Sequence, residues 1–131
     1  MVSSKGTFGS FAVSDLEAAK EFYSATLGLD VKSEEDPLGN GVLWIHGPGP
    51  GSVMVYSKPE HTPAGFTVYN LEVDDLEAAC DDLSGRGATF ERYEQMEPDD
   101  RGIVRQGGIA AAWLKDPSGN VVGLMERSDQ A

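Results

Sequence analysis

Apolar residues along this chain fall into two similar series. In the first, Leu16, Ala19, Phe22, Tyr23 and Leu27 recur at helical spacing and form one stripe, which needs a sheet to cover it. β-rich runs at 7–13 and 66–73 each lead into a helix-start signal. Ser14-x-x-Glu17 and Asp74-x-x-Glu77 both have capping-box form, so Ser14 and Asp74 are the expected caps, and Gly28 and Gly87 are placed to end the helices. Further apolar runs at 41–46, 52–56, 110–114 and 121–125 read as strands. Gly/Pro segments such as His46-Gly47-Pro48-Gly49-Pro50-Gly51 and Asp116-Pro117-Ser118-Gly119-Asn120 read as turns between them. Asp36-Pro37-Leu38-Gly39-Asn40 has similar lettering at a different place and reads as a second turn of the same chemistry.

The two series are copies of one unit. Val13-Ser14-Asp15-Leu16-Glu17-Ala18-Ala19 returns sixty residues later as Val73-Asp74-Asp75-Leu76-Glu77-Ala78-Ala79. Leu27-Gly28-Leu29-Asp30-Val31 matches Arg86-Gly87-Ala88-Thr89-Phe90 after one deletion. The unit reads βαβββ. Sixty residues bury too little surface to stand comfortably alone, so the expected fold is α+β, with two βαβββ modules pairing into curved mixed sheets. One domain spanning 1–131 is expected, with module 1 at about 7–56, a connector at 57–65 carrying Pro59 and Pro63, and module 2 at about 66–126.

Charge narrows the partners. Twenty-two acidic against ten basic residues give a net charge of −12, which repels nucleic acid and anionic membrane surfaces. No apolar run approaches the roughly twenty residues of a membrane helix, and residues 1–6 have no apolar stretch suited to a signal peptide, so a cytoplasmic protein is expected. The single Cys80 falls on an apolar stripe with Leu76, Ala79 and Leu83, which predicts packing in preference to a reactive thiol.

The opening Val13-x-Asp15-Leu16-Glu17-Ala18-Ala19-x-x-Phe22-Tyr23 and the closing Trp113-Leu114-Lys115-Asp116-Pro117-Ser118-Gly119-Asn120-Val121-Val122 resemble the glyoxalase/bleomycin-resistance (vicinal oxygen chelate) superfamily. The resemblance runs from about Phe8 to Glu126. It implies that each module curls into a cup around a small-molecule site and that two chains form a homodimer. Enzymes of the family hold a divalent metal through His or Gln and Glu side chains, whose open coordination sites polarise substrate oxygens. At the corresponding places this chain carries Phe8, Val55, Val68 and Gly123, with Met54 and Tyr56 as neighbours of Val55. None can ligate a divalent ion, so neither metal nor other cofactor is expected.

What the resemblance leaves is an apolar and aromatic cup. Phe8, Val55, Val68 and Gly123 would point into it, joined by Ser10, Phe66 and Asn70 on the same strand parities, by Trp44 and Trp113 on neighbouring strands, and by Tyr56 and the connector residue His61. The aromatic residues read equally as plain core. His46 and His61 share no ligand spacing, the run 94–100 reads as a solvated acidic loop, and Arg105 reads as a surface residue able to meet an anion. No nucleophile motif or phosphate loop is present. The leading reading is metal-independent binding of a small, largely apolar or aromatic molecule, in sequestration or resistance. The alternatives are an enzyme of the same family using His61, Tyr56, Tyr93 or Asp100 for acid–base work, and an interaction protein whose cup is filled by its own side chains.

Overall fold

The computed structural model describes residues 2–49 and 51–128. The chain divides into two compact units, Met1–Thr62 and Pro63–Ala131, each holding one βαβββ module. In the first, β1 (Gly9–Val13) leads to α1 (Leu16–Glu21) and then to β2 (Asp30–Glu35), β3 (Gly41–His46) and β4 (Ser52–Ser57). In the second, β5 (Thr67–Glu72) leads to α2 (Leu76–Gly85), β6 (Val104–Gln106), β7 (Ile109–Lys115) and β8 (Val121–Arg127). The sheet orders β1-β4-β3-β2 and β5-β8-β7-β6 are the same topology, with the first and last strands of each module parallel and the rest antiparallel. The fold is therefore α+β, built from a duplicated unit. Among the described residues no helix is long and apolar enough to cross a membrane.

Both helices are capped one residue later than the Ser14 and Asp74 expected from the capping-box pattern. Asp15 and Asp75 sit in extended backbone, and each accepts a 3.1 Å bond from the amide three residues on, Ala18 and Ala78. That spacing lets a short carboxylate reach an unpaired first-turn N–H, and Ser14 and Asp74 stand one residue too early for it. α1 relaxes into a π-helical turn over Phe22–Thr26, and Gly28 then takes φ 74° to leave the helix. Gly87, at φ 93°, does the same after α2.

Each helix covers one face of its own sheet. In the first unit Phe11, Val13, Leu43, Ile45 and Val55 are buried with Ala19 and Tyr23, and the Phe11 and Tyr23 rings meet at 5.8 Å. In the second, Leu76, Cys80 and Leu83 of α2 are buried with Ala112, Leu114, Val122 and Leu124. Burial, reinforced by the charges of Asp81 and Asp99, pushes the Cys80 thiol up to about 11. At about pH 8 such a thiol is ionised only about one part in a thousand. Iodoacetamide is expected to leave Cys80 unmodified in the folded protein and to alkylate it fully in urea, read by intact mass. Rapid native labelling would contradict the packing role.

Three turns share one hydrogen-bond pattern. In Asp36–Asn40 the carboxylate Oδ1 accepts from the amides of Leu38 and Asn40, both at 2.9 Å, and Gly39 takes φ 85°. Asp116–Asn120 repeats this with Ser118 and Asn120, with Gly119 at φ 85°. The first joins β2 to β3 and the second β7 to β8, so the similar lettering marks a reused turn at different places in the module. Asp99–Ile103 is a third example without proline or asparagine: Oδ1 of Asp99 accepts from Arg101 and Ile103, and Gly102 takes φ 89°. The shared requirement is Asp-x-x-Gly.

Candidate functional site

Register sorts the residues of each sheet by face. On the helix side of the first sheet, Phe11 pairs with Val55 and Val55 with Leu43. On the opposite face, Ser10 pairs with Met54 and Met54 with Trp44. In the second sheet the helix-side row is Leu71, Leu124, Ala112, and the opposite row is Asn70, Gly123, Trp113. The duplication thus superimposes Ser10 on Asn70, Met54 on Gly123 and Trp44 on Trp113. The two tryptophans are one position used twice.

This register corrects two expectations. Val55 is fully buried on the helix side with Phe11, so it cannot point away from the helix with Gly123; the residue equivalent to Gly123 is Met54. Val68 is the extra residue of a β-bulge, because Thr67 pairs with Val121 while Tyr69 already pairs with Val122. Phe8, just before β1, stands edge-on to Trp44 with ring centroids 5.0 Å apart and is 59% exposed. Gly123 is itself buried, and the space over it is taken: a Cβ there would overlap Oδ1 of Asn70 and lie 3.4 Å from the Thr67 methyl.

Trp113 has an aromatic neighbour of its own. Phe90 bridges to Leu114 and the Glu91 amide donates to the Trp113 carbonyl, as if β6 were starting, but the chain leaves the sheet and rejoins it only at Val104. This excursion brings the Tyr93 ring to 5.4 Å from Trp113, edge to face. Its trace in the sequence is a change of spacing: sixty residues separate Val13 from Val73, but sixty-nine separate Trp44 from Trp113. Tyr93 as an aromatic partner of Trp113 was legible only through that nine-residue difference.

The run 94–100 is mostly exposed, as its composition suggests, but it is ordered by local bonds. Glu94–Met96 forms a 3-10 turn, and Asp99 is a junction. Its carboxylate accepts from the Arg105 guanidinium at 2.6 Å, its carbonyl accepts from Arg92, and Arg105 also reaches Glu77 of α2 at 2.8 Å. Partial burial opposes the Asp99 charge, but Arg105 and the Ile103 and Arg101 amides outweigh it and hold the carboxyl below its usual range. Arg105 is thus paired with both of these carboxylates.

The remaining candidates do not belong to the row Asn70, Gly123, Trp113. Tyr56, 38% exposed, lines a cavity of about 570 Å³ in the first unit with Val42, Met54, Leu16 and Asn40. His61 is half-buried in the connector, where its amide donates to the Lys58 carbonyl. His46 is exposed at the end of β3, opposite Ser52. Phe66 precedes β5 and is exposed. Among the described residues no three His, Cys, Asp or Glu side chains converge as a metal would require. With Phe8, Met54, Val68 and Gly123 at the places where family enzymes carry ligands, the donor set does not fit a divalent ion.

The model of the Glyoxalase/Bleomycin resistance protein/Dioxygenase superfamily matches residues 8–124. The chain belongs to this superfamily. Superfamily structures of comparable length resemble it. TnmS3, an antibiotic binding protein from Streptomyces sp. CB03234, is 27% identical, with 94% of this chain and 97% of that one covered and a TM-score of 0.71. A glyoxalase/bleomycin resistance protein from the same Streptomyces is also 27% identical, covering 90% and 98%, with a TM-score of 0.65. A superfamily member from Sphaerobacter thermophilus DSM 20745 is 26% identical, covering 93% and 98%, with a TM-score of 0.71. No curated protein matches the chain.

Proposed function

We propose that this superfamily member is a metal-independent binding protein for a small, largely apolar or aromatic molecule, acting in sequestration or resistance. The observation that carries this reading is the row Asn70, Gly123, Trp113, backed by Tyr93: an aromatic surface with one neutral polar group. Such a surface gains affinity by burying ligand area and needs no Lewis acid. The likeness to an antibiotic binding protein supports the same class of ligand. The working form is a cytoplasmic homodimer with no nucleic-acid or membrane partner; a net charge of −12 and the paired assemblies of the family support this.

Native mass spectrometry of freshly purified protein tests the reading. The expected spectrum shows twice the 14.0 kDa chain mass, no stoichiometric divalent metal, and adducts with added planar aromatic compounds. About one Zn, Fe, Mn or Ni per chain, whose removal by chelator lowers Tm, would overturn metal independence. A clean monomer would overturn the dimer.

A further inference from the structure

Gly123 and Asn70 form a matched pair. Asn70 of β5 stands beside Gly123 of β8, which in turn stands beside Trp113 of β7. The Asn70 carboxamide lies over the glycine so closely that a Cβ would overlap Oδ1 and sit 3.5 Å from Cγ. The equivalent pair in the first sheet, Ser10 and Met54, reverses the sizes, with the long side chain on the last strand and the short one on the first. With Oδ1 nearest the glycine, the donor Nδ2 is the other end of the carboxamide. Asn70 is exposed, so this donor is within reach of a ligand. Asn70 and Trp113 lie two strand spacings apart, about 10 Å, a span that a fused aromatic ring with one substituent bridges.

From this geometry we infer that Asn70 is the specificity-determining residue of the site. Its carboxamide, seated in the space left by Gly123, donates a hydrogen bond to a neutral acceptor oxygen on an aromatic ligand held against Trp113. The ligand class is thus an uncharged aromatic carbonyl compound; a carboxylate ligand would face the repulsion of a strongly acidic chain. This inference rests on the binding reading above and adds the chemistry of the ligand's polar edge.

The test uses a pair matched in shape, methyl naphthyl ketone and ethylnaphthalene, measured by equilibrium dialysis against the full chain. Wild type is expected to bind the ketone about tenfold more tightly than the hydrocarbon, the worth of one good hydrogen bond. Asn70→Asp keeps the shape but removes the donor, and the preference is expected to vanish; Asn70→Ala should behave likewise. In Gly123→Ala the new Cβ expels the carboxamide from its seat, so the preference for the ketone should fall. A second readout needs no ligand: the Asn70 side-chain amide signals in the ¹⁵N–¹H spectrum should shift in Gly123→Ala. Equal binding of both compounds by wild type, a preference that survives Asn70→Asp, or unmoved Asn70 amide signals would overturn this assignment and leave the binding reading standing. If wild type binds neither compound, the aromatic-ligand reading itself fails.

Discussion

Val55→Glu is expected to abolish folding, whereas Tyr56→Glu, one residue along the same strand, is expected to leave the urea midpoint close to that of the wild type. The contrast follows from the pleat. Val55 is fully buried on the helix side between Phe11 and Leu43, where a carboxylate finds no partner and no water. Burying that charge, or keeping it protonated, costs more than about 4 kcal/mol, a large part of the total stability of a chain this size. Tyr56 points the other way and is more than a third exposed, so its replacement costs about 1 kcal/mol or less. Far-ultraviolet circular dichroism and urea titration read both variants. Equal tolerance of glutamate at the two positions would mean that β4 is out of register by one, and that Val55, not Met54, is the true counterpart of Gly123.

Asp116→Ala is expected to cost about 3 kcal/mol, and Asp36→Ala about 1 kcal/mol, although the two aspartates make the same turn. The difference is burial. Asp116 and Asn120 are both buried, and Asp116 also accepts from the Asn120 carboxamide at 3.1 Å, so its loss strands buried donors. The turn is further packed by Pro63, since a Cβ on Gly119 would come within 2.8 Å of the proline Cγ. Around Asp36 the amides of Leu38 and Asn40 are near water, which replaces the lost acceptor. Paired urea denaturation curves decide this, and equal losses would show that burial of the second turn contributes nothing.

The duplicated helices and the strands with apolar faces were legible because their patterns report burial on one side. β3 was readable to the residue, since Val42, Leu43 and Ile45 are all buried. β2 and β6 were not identified as strands. Five of the six β2 residues are exposed, and a strand paired on one edge with little buried surface leaves no alternation to read. The position of Val55 was misread for a related reason: β4 has apolar residues on both parities, Val53 and Val55 on one and Met54 on the other, so periodicity alone could not orient it. The Trp113 row was partly legible, because Asn70, Gly123 and Trp113 were all candidates from the sequence. That Asn70 fills the space over Gly123 was not, because it depends on the pairing of β5 with β8, which lie some fifty residues apart.

The interrupted edge of the second sheet has a consequence for change over generations and for engineering. Phe90 and Val104 both meet β7, so the segment between them starts and finishes on the same rail. An edge strand has only one neighbour to lose, and breaking it there sacrifices few ladder bonds while the buried residues of β7 and β8 stay in place. In the first copy of the unit the rail is unbroken as β2; in the second it is open, and the intervening segment brings Tyr93 to Trp113. Exchanging residues 93–98 for segments of other lengths is therefore expected to change what stands against Trp113 while the buried Ile103 and the Asp99 turn stay in place.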